Sequence, residues 1–196
     1  MPIQSIKSGV LSRSTMVGNT LIYPGDFESI ATVTVGAGGA SSIDFTSIPG
    51  TYTHLQVRFL YGNTNTAQTR ETIMRLNSDS GNNYADHQLA GNGSSASASA
   101  FSSTNAIYVA QCDHSSSAGT SAFGESIIDI LDYANTNKYK TTRQLWGWDG
   151  NGTGVMRFSS GLWMSTNAIT SIKLLPMSTG DFRQYTQAAL YGIKGA

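Results

Sequence analysis

The residues most able to do chemistry are concentrated in SIIDILDYANTNKYKTTRQLWGWDG, residues 126–150, which combines aspartates, lysines, an arginine and two tryptophans. General acid–base catalysis would require two carboxylates on the same side of the chain. Asp129 and Asp132 are three residues apart, so on a strand they point to opposite faces and do not form a pair. We interpret the segment as two strands, 126–133 and 141–148, because the Asn-rich stretch between them is typical of a connecting loop.

The aromatic residues of this segment allow two interpretations. Trp146 and Trp148 are two residues apart, so they share one face of a strand and could form a platform for a sugar ring. Large aromatics more commonly fill a core or seal a subunit contact, and we favour that interpretation. A glycan depolymerase or a glycan-binding tip using Trp146, Trp148, Asp129 and Asp149 remains the rival. The candidate glycan or subunit contacts are Tyr133, Lys138, Tyr139, Trp146 and Trp148.

Other motifs are weaker still. Cys112 is the only cysteine, which excludes an internal disulfide, and its spacing to His114 favours a structural thiol over a nucleophile. The turn at 77–83 has the oxygen ligands of a calcium loop, but the terminal glutamate is missing. The glycines of 36–40 lie between strands, where a hairpin is expected instead of a phosphate site. No zinc-ligand spacing and no GxSxG motif are present, so we expect no enzyme, no metal and no cofactor.

Composition narrows the class of protein. The chain has 196 residues, of which 12% are charged, and 12 cationic residues balance 12 anionic ones. Such a chain lacks the field that would attract nucleic acid or an anionic membrane. It also has no apolar run long enough to span a membrane and no signal peptide, which predicts synthesis in a cytoplasm.

From Phe27 onward the sequence alternates between apolar and polar residues, which is typical of strands. In 53–61, for example, Leu55, Val57 and Phe59 face one way and Gln56 faces the other. Comparable runs occur at 29–35, 71–77, 84–89, 105–110, 126–133, 141–148, 154–164, 169–175 and 187–193. Gly-, Asn- and Ser-rich separators, GNGSSASASA among them, divide these runs.

About ten short strands without a helical period predict an all-β antiparallel sandwich or jelly roll over residues 27–196. The predicted core consists of Leu55, Val57, Phe59, Ile128, Ile130, Leu131, Leu145, Trp163, Ile169, Ile172, Leu174, Leu190 and Ile193.

Residues 1–26 differ from the rest because they show no steady period and cannot fold alone. We predict an extended N-terminal arm that adds a strand to a neighbour's sheet and anchors the protein. The partner-binding residues proposed for it are Ile3, Ile6, Lys7, Val10, Leu11, Arg13, Val17, Leu21 and Ile22.

The sequence also resembles a family of small virion structural proteins of tailed bacteriophages. The resemblance is carried by ILDYANTNKYKT, SGLW, AITSI and the terminal LYGIKG, supported by YTHLQVRF and MRLNSDSGNNYADHQL in the first half. It implies a capsid decoration (cement) protein or a tail-fibre component, and it brings no catalytic residues. The arm lacks a fibre shaft repeat, which favours capsid decoration over a tail fibre that binds host-surface glycans.

The expected partners follow from that resemblance and from the composition. Low charge and many aromatics indicate surface that needs burying, which predicts a homotrimer or another ring, the trimer by analogy with phage jelly rolls. The other expected partners are the major capsid protein or another virion protein and, in the rival interpretation, a host glycan. The expected location is the virion, after synthesis in the host bacterial cytoplasm.

Overall fold

The computed structural model describes residues 15–17, 20–22, 26–65, 69–114 and 119–194. These ranges contain fourteen β-strands and one 3₁₀ turn, Gly119–Ser121. The strands are β1 Thr15–Val17, β2 Thr20–Ile22, β3 Phe27–Thr34, β4 Ile43–Phe45, β5 His54–Tyr61, β6 Thr69–Leu76, β7 Tyr84–Gly91, β8 Ala96–Thr104, β9 Ile107–Asp113, β10 Gly124–Leu131, β11 Lys140–Asp149, β12 Gly154–Trp163, β13 Ile172–Pro176 and β14 Gln187–Ile193.

The strands form two unequal antiparallel sheets that pack as a sandwich. The large sheet has eight strands in the order β3-β14-β5-β10-β11-β12-β7-β8, and the small sheet has four in the order β4-β13-β6-β9. A separate two-stranded hairpin pairs β1 with β2. The all-β sandwich predicted from the sequence is confirmed.

Alternation along each strand decides which side chains enter the sandwich. Leu55, Val57, Phe59 and Tyr61 of β5 are buried, whereas Arg58 is exposed, as the sequence predicts. Most of the predicted core is likewise buried between the sheets. The prediction is wrong for two residues of this set, because Leu131 and Leu145 are exposed.

The error at these two leucines has a simple geometric cause. Ile130 and Leu131 are consecutive residues of one strand, so only one of them can point into the sandwich. Leu145 precedes the buried Trp146 in the same way. Ile193, at the end of β14, is half-buried.

The strand β8 was not predicted. Its sequence, ASASAFSST, lies mainly within a stretch interpreted as a separator, yet it pairs with β7 at the edge of the large sheet. Every residue from Ala96 to Ser103 is exposed, so backbone hydrogen bonds to β7 hold this strand without a buried side-chain face. Serine and alanine carry little strand propensity, which explains why the pattern was missed.

The large sheet contacts β9 closely at Gly124. A Cβ atom at this position would collide with the backbone carbonyl of Gln111, so the approach requires glycine. Gly161 plays a similar role, since its Cβ would fall 2.8 Å from Ile107 Cγ2. These contacts fix β9 beneath the central strands of the large sheet.

The loop between β10 and β11 is built around a buried lysine. Lys140 Nζ donates hydrogen bonds to the carbonyls of Asn135 at 2.6 Å, Lys138 at 3.0 Å and Thr166 at 3.1 Å. Asp132 begins the loop with a φ of 52°, so it lies in a turn and not on the predicted strand 126–133.

Much of the predicted arm lies outside the described residues. Ile3, Ile6, Lys7, Val10, Leu11 and Arg13 are among these, and the arm's role stays a prediction. Val17, Leu21 and Ile22 belong to the β1–β2 hairpin by backbone pairing. Within the described ranges, no helix is long and apolar enough to cross a membrane.

Candidate functional site

The outer face of the large sheet, which points away from the small sheet, carries an apolar row across four adjacent strands. Ile127 pairs with Leu145, Leu145 with Phe158, and Phe158 with Leu89. Their side chains are 42%, 47%, 55% and 57% exposed in that order. Side chains directly opposite in neighbouring strands touch, so these four form one continuous apolar strip, which we call the apolar row.

A second row of the same face extends the apolar surface. Leu60 pairs with Glu125, Glu125 with Gly147, and Gly147 with Met156. Leu60 and Met156 are exposed. Leu145, Gly147 and Met156 line part of a groove of about 450 Å³ on this face.

Polar residues border the apolar row on its other side. Gln56 Nε2 donates to Asp129 Oδ1 at 2.8 Å, and Arg143 Nη1 donates to Ser160 Oγ at 2.8 Å. Asp129 and Arg143 face each other across β10 and β11. An apolar centre beside a polar rim is the usual anatomy of a protein–protein interface.

At one end of the face, aromatic rings and a guanidinium are stacked. The rings of Phe27 and Tyr191 lie 4.7 Å apart, and the Arg58 guanidinium lies 5.6 Å and 5.7 Å from their centres. Arg58 is also the cross-strand neighbour of Ile127. The apolar row therefore ends in a cation held in place by two rings.

The five predicted aromatic and lysine contacts do not form one site. Tyr133 is fully buried and donates its hydroxyl to the carbonyl of Pro49, so it is a core residue and not a surface contact. Trp146 is also buried, as the favoured interpretation of the sequence expects, and it therefore cannot form the glycan platform of the rival interpretation. Lys138 and Tyr139 are exposed in the β10–β11 loop, and Lys138 forms an ion pair with Asp132.

Trp148 is half-buried and stands apart from Trp146 in its surroundings. It borders a groove of about 570 Å³ at the end of the large sheet, together with Glu125 and Asp149. The two tryptophans share one strand face, but Trp146 is buried in the interior and Trp148 is half-buried at the end of the sheet.

A buried polar chain runs along the inner face of the large sheet below Trp146. Trp146 Nε1 donates to Ser159 Oγ at 3.0 Å, and the Arg157 guanidinium lies 5.1 Å from the Trp146 ring centre. Arg157 Nη1 donates to Gln88 Oε1 at 2.7 Å, and Gln88 Nε2 donates to Asp86 Oδ1 at 3.2 Å. Burial raises the pKa of the Asp86 carboxyl above its usual value.

Cys112 and His114 are neighbours in the interior. Cys112 Sγ lies 3.6 Å from His114 Nε2, which also accepts a hydrogen bond from the Asn63 backbone at 3.1 Å. Burial raises the pKa of the thiol to about 12 and lowers the pKa of the imidazole. Both shifts favour the neutral forms, so the pair is a structural contact and not a thiolate–imidazolium pair.

The 77–83 turn uses its oxygens internally. Asp79 accepts hydrogen bonds from Gly81 N at 2.8 Å, Asn83 Nδ2 at 3.0 Å and Trp163 Nε1 at 2.8 Å. Among the described residues, no group of three or more His, Cys, Asp or Glu side chains is placed to hold a metal ion.

The outer face was not predicted from the sequence, because the candidate residues lie in loops and among the tryptophans. A signal was present nonetheless. Consecutive apolar residues within one strand, as at Ile127–Ile128 and Leu145–Trp146, must place one side chain on each face. Such pairs recur on adjacent strands of the large sheet, and they mark a sheet that is apolar on both sides.

Comparison with known proteins adds little. No protein-family model matches the chain. No curated protein matches it either. A solved complex of lysenin with phosphocholine aligns at 11% identity with a TM-score of 0.13, covering 84% of this chain and 46% of that chain. The chain spans less than half of that protein's length, and so low a TM-score carries no argument.

Proposed function

We propose that the protein is a virion structural component of a tailed bacteriophage that works by association, as a capsid decoration (cement) protein. Two things support this: the resemblance of its motifs to small phage virion proteins, and the apolar outer face of the large sheet. The face is the observation that carries the proposal, because an exposed apolar surface rimmed by polar residues marks an interaction site.

The outer face is large enough for a stable contact. Eight strands about 4.8 Å apart, each about eight residues long at roughly 3.4 Å per residue, give a face of about 1,000 Å². A standard interface takes about 800 Å² from each partner. The apolar row lies on the central strands of that face, where the residues that dominate binding usually cluster.

The charges of the face suit a second copy of the same chain. Arg58 and Arg143 are balanced there by Glu125 and Asp129, so two copies do not repel each other. We propose that copies associate into a homotrimer, or another ring around one axis, and bury the apolar row between them.

Attachment to the capsid shell is assigned to the N-terminal arm, residues 1–26, which contacts the major capsid protein or another virion protein. In this proposal the arm anchors the protein to the shell and the outer face of the sandwich mediates association between copies. The protein is then located on the virion, following synthesis in the host bacterial cytoplasm.

A tail-fibre or tail-tip component that binds host-surface glycans is the second candidate. Trp148 favours it, since this half-buried ring borders a groove that also contains Glu125 and Asp149. Aromatic faces beside carboxylates suit sugar rings. Trp146 and Tyr133 contribute nothing to this candidate because they are buried.

Deleting residues 2–22 separates the two candidates. The deletion variant and the full chain are mixed with phage capsid shells and sedimented, and the oligomeric state of each is measured separately. Capsid decoration predicts that the truncated protein still forms its oligomer but no longer attaches. Undiminished attachment would show that the arm is not the anchor and would favour the glycan-binding tail component.

A further inference from the structure

The outer face of the large sheet is divided by a centre line that runs along the strands between β10 and β11. This line leaves four strands on each side, because the order is β3-β14-β5-β10 and then β11-β12-β7-β8. Cross-strand pairing places the residues of β5, β10, β11 and β12 at common levels along the strands. The charges and the apolar side chains of this face can therefore be compared level by level across the line.

One level carries two opposite charges that do not form an ion pair with each other. Asp129 on β10 is the cross-strand neighbour of Arg143 on β11. Asp129 accepts a hydrogen bond from Gln56, and Arg143 donates to Ser160 Oγ and to the carbonyl of Thr142. Among the described residues, neither charge takes part in an ion pair. Both charges are therefore available to groups that lie above the sheet.

A two-fold axis along the centre line would place a second copy with its β11 over β10 and its β10 over β11. Because this axis runs along the strands, each residue meets a residue of its own level. Asp129 then faces Arg143 of the second copy, and Arg143 faces Asp129 of the second copy. Sheets that pack face to face keep their strand directions within about 30°, so the strands nearest the axis retain these pairings.

The apolar side chains are complementary under the same rotation. Ile127 and Leu145 share a level on either side of the line, so each covers the other in the second copy. Leu60 and Met156 share another level on the strands one step further out. All four side chains are exposed in the single chain. The contact therefore buries them against one another.

The remaining charges of the central strands also meet acceptable neighbours. Arg58 lies at the level of Phe158, so its guanidinium faces an exposed ring of the second copy. A guanidinium over an aromatic ring is a favourable contact. Glu125 lies at the level of Gly147 and therefore faces no carboxylate.

Charge argues against the other ways of stacking two such faces. An axis along β10 itself would place Asp129 over Asp129 and Glu125 over Glu125 of the second copy. An axis across the strands at the level of Ile127 would place Asp129 over Glu125. Both arrangements bring carboxylates together, which weakens binding. The axis between β10 and β11 avoids this and pairs opposite charges.

We propose that two copies of the chain associate face to face about a two-fold axis between β10 and β11, held in register by two reciprocal Asp129–Arg143 ion pairs. A patch that meets the same patch of its partner makes an isologous contact, which closes with two copies, the smallest assembly around one axis. The inference rests on the proposed function in one respect, because it requires that the outer face mediates self-association. It adds the number of copies, their alignment and the residues that select this alignment.

The test exchanges the two charges between copies. Asp129→Arg leaves cations at both positions and Arg143→Asp leaves carboxylates at both, so neither variant is complementary to itself. An equimolar mixture of the two variants restores both ion pairs in a mixed dimer. Each chain of the mixture keeps its own unfavourable neighbours, so changes within one copy cannot produce this rescue. Sedimentation equilibrium measures association, and circular dichroism checks that each variant is folded.

The matched control is a cross-strand pair of opposite charges on the small sheet. Lys173 on β13 pairs with Asp44 on β4, and their side chains form an ion pair at 3.2 Å. Asp44→Arg and Lys173→Asp reverse charges in the same manner away from the outer face. Both control variants should associate as the wild type does, whether alone or mixed.

We expect a dimeric wild type and a dissociation constant raised about a hundredfold in Asp129→Arg and in Arg143→Asp, with recovery to within about tenfold of the wild type in their mixture. A trimeric wild type, single variants that associate normally, or a mixture that associates no better than its components would overturn the two-fold contact. Those results leave association through the outer face intact. A monomeric wild type would overturn that association as well.

Discussion

Leu145 on β11 and Phe158 on β12 are directly opposite each other across an antiparallel pair, and both side chains point away from the sandwich interior. A soluble sheet face in this position would ordinarily carry polar residues. Ile127 and Leu89 extend the contact on either side. The exposed pair of Leu145 and Phe158 is the basis of the association that we propose.

The packing of β9 against the large sheet predicts a severe effect of Gly124→Ala. The new Cβ would collide with the Gln111 carbonyl, and backbone cannot yield as a flexible side chain can. We expect the free energy of unfolding to fall by about 1–3 kcal/mol, as measured by urea denaturation. Gly91→Ala is the control, because a Cβ at Gly91 meets nothing within 4 Å. Equal stability of the two variants would contradict the close approach.

The buried lysine predicts a contrast between two neighbouring positions. Lys140→Met removes three hydrogen bonds from the ammonium to part-buried carbonyls, each worth about 1 kcal/mol, so we expect a loss of about 3 kcal/mol in unfolding free energy. Lys138→Met removes an exposed ion pair with Asp132 and should change stability by less than about 1 kcal/mol. Thermal and urea unfolding measure both variants. A tolerated Lys140→Met substitution would show that the loop is not held by the ammonium.

The buried Asp86 predicts a pH dependence of stability. Burial raises the pKa of Asp86 in the folded protein above the ordinary value of 3.8, so the folded state holds this proton more tightly than the unfolded chain. Stability from this residue is present in acid and is lost as pH rises through the window above 3.8. Asp86→Asn removes the titration and keeps an acceptor for Gln88.

Urea unfolding of the wild type and of Asp86→Asn at about pH 4 and about pH 7 checks this prediction, since the ordinary pKa of aspartate lies near the lower value. The variant should gain stability relative to the wild type as the pH rises. A difference between the two proteins that is independent of pH would contradict the raised pKa.

Much of the fold could be predicted because alternation is a local property of the sequence. The run 53–61 identifies β5 and its buried face, and the runs at 154–164 and 187–193 identify β12 and β14 to within a residue. Strand β8 could not be found in this way, because Ala96–Thr104 buries almost nothing and is held by backbone pairing to β7.

The sites were harder to predict because they depend on which strands become neighbours. Leu145 was assigned to the core since apolar character does not reveal which face of a sheet is covered. The buried polar chain below Trp146 joins Gln88 of β7 to Arg157 of β12, and no local pattern connects residues on strands so far apart in sequence. Lys140 lies at the end of a polar loop sequence, where an exposed side chain is the normal expectation.

The outer face itself is tested by the pair of substitutions Leu145→Thr and Phe158→Thr. Threonine retains strand propensity while removing most of the apolar surface. A fully buried Leu or Phe side chain contributes about 1.5–3 kcal/mol, so the double variant should raise the dissociation constant of the assembly about a hundredfold. Met177→Thr with Tyr185→Asn is the control, because both residues are exposed but lie outside the large sheet. Asparagine is used at 185 because the backbone there has a φ of 72°, which a β-branched residue tolerates poorly.

Analytical ultracentrifugation of these three proteins at micromolar concentration is the most direct measurement of the central claim. The account predicts that the wild type and the Met177→Thr/Tyr185→Asn control sediment as one stable oligomer, a trimer or another closed ring. It predicts that the Leu145→Thr/Phe158→Thr variant sediments as a folded monomer. A monomeric wild type, or an oligomer that survives the loss of both outer-face side chains, would contradict it.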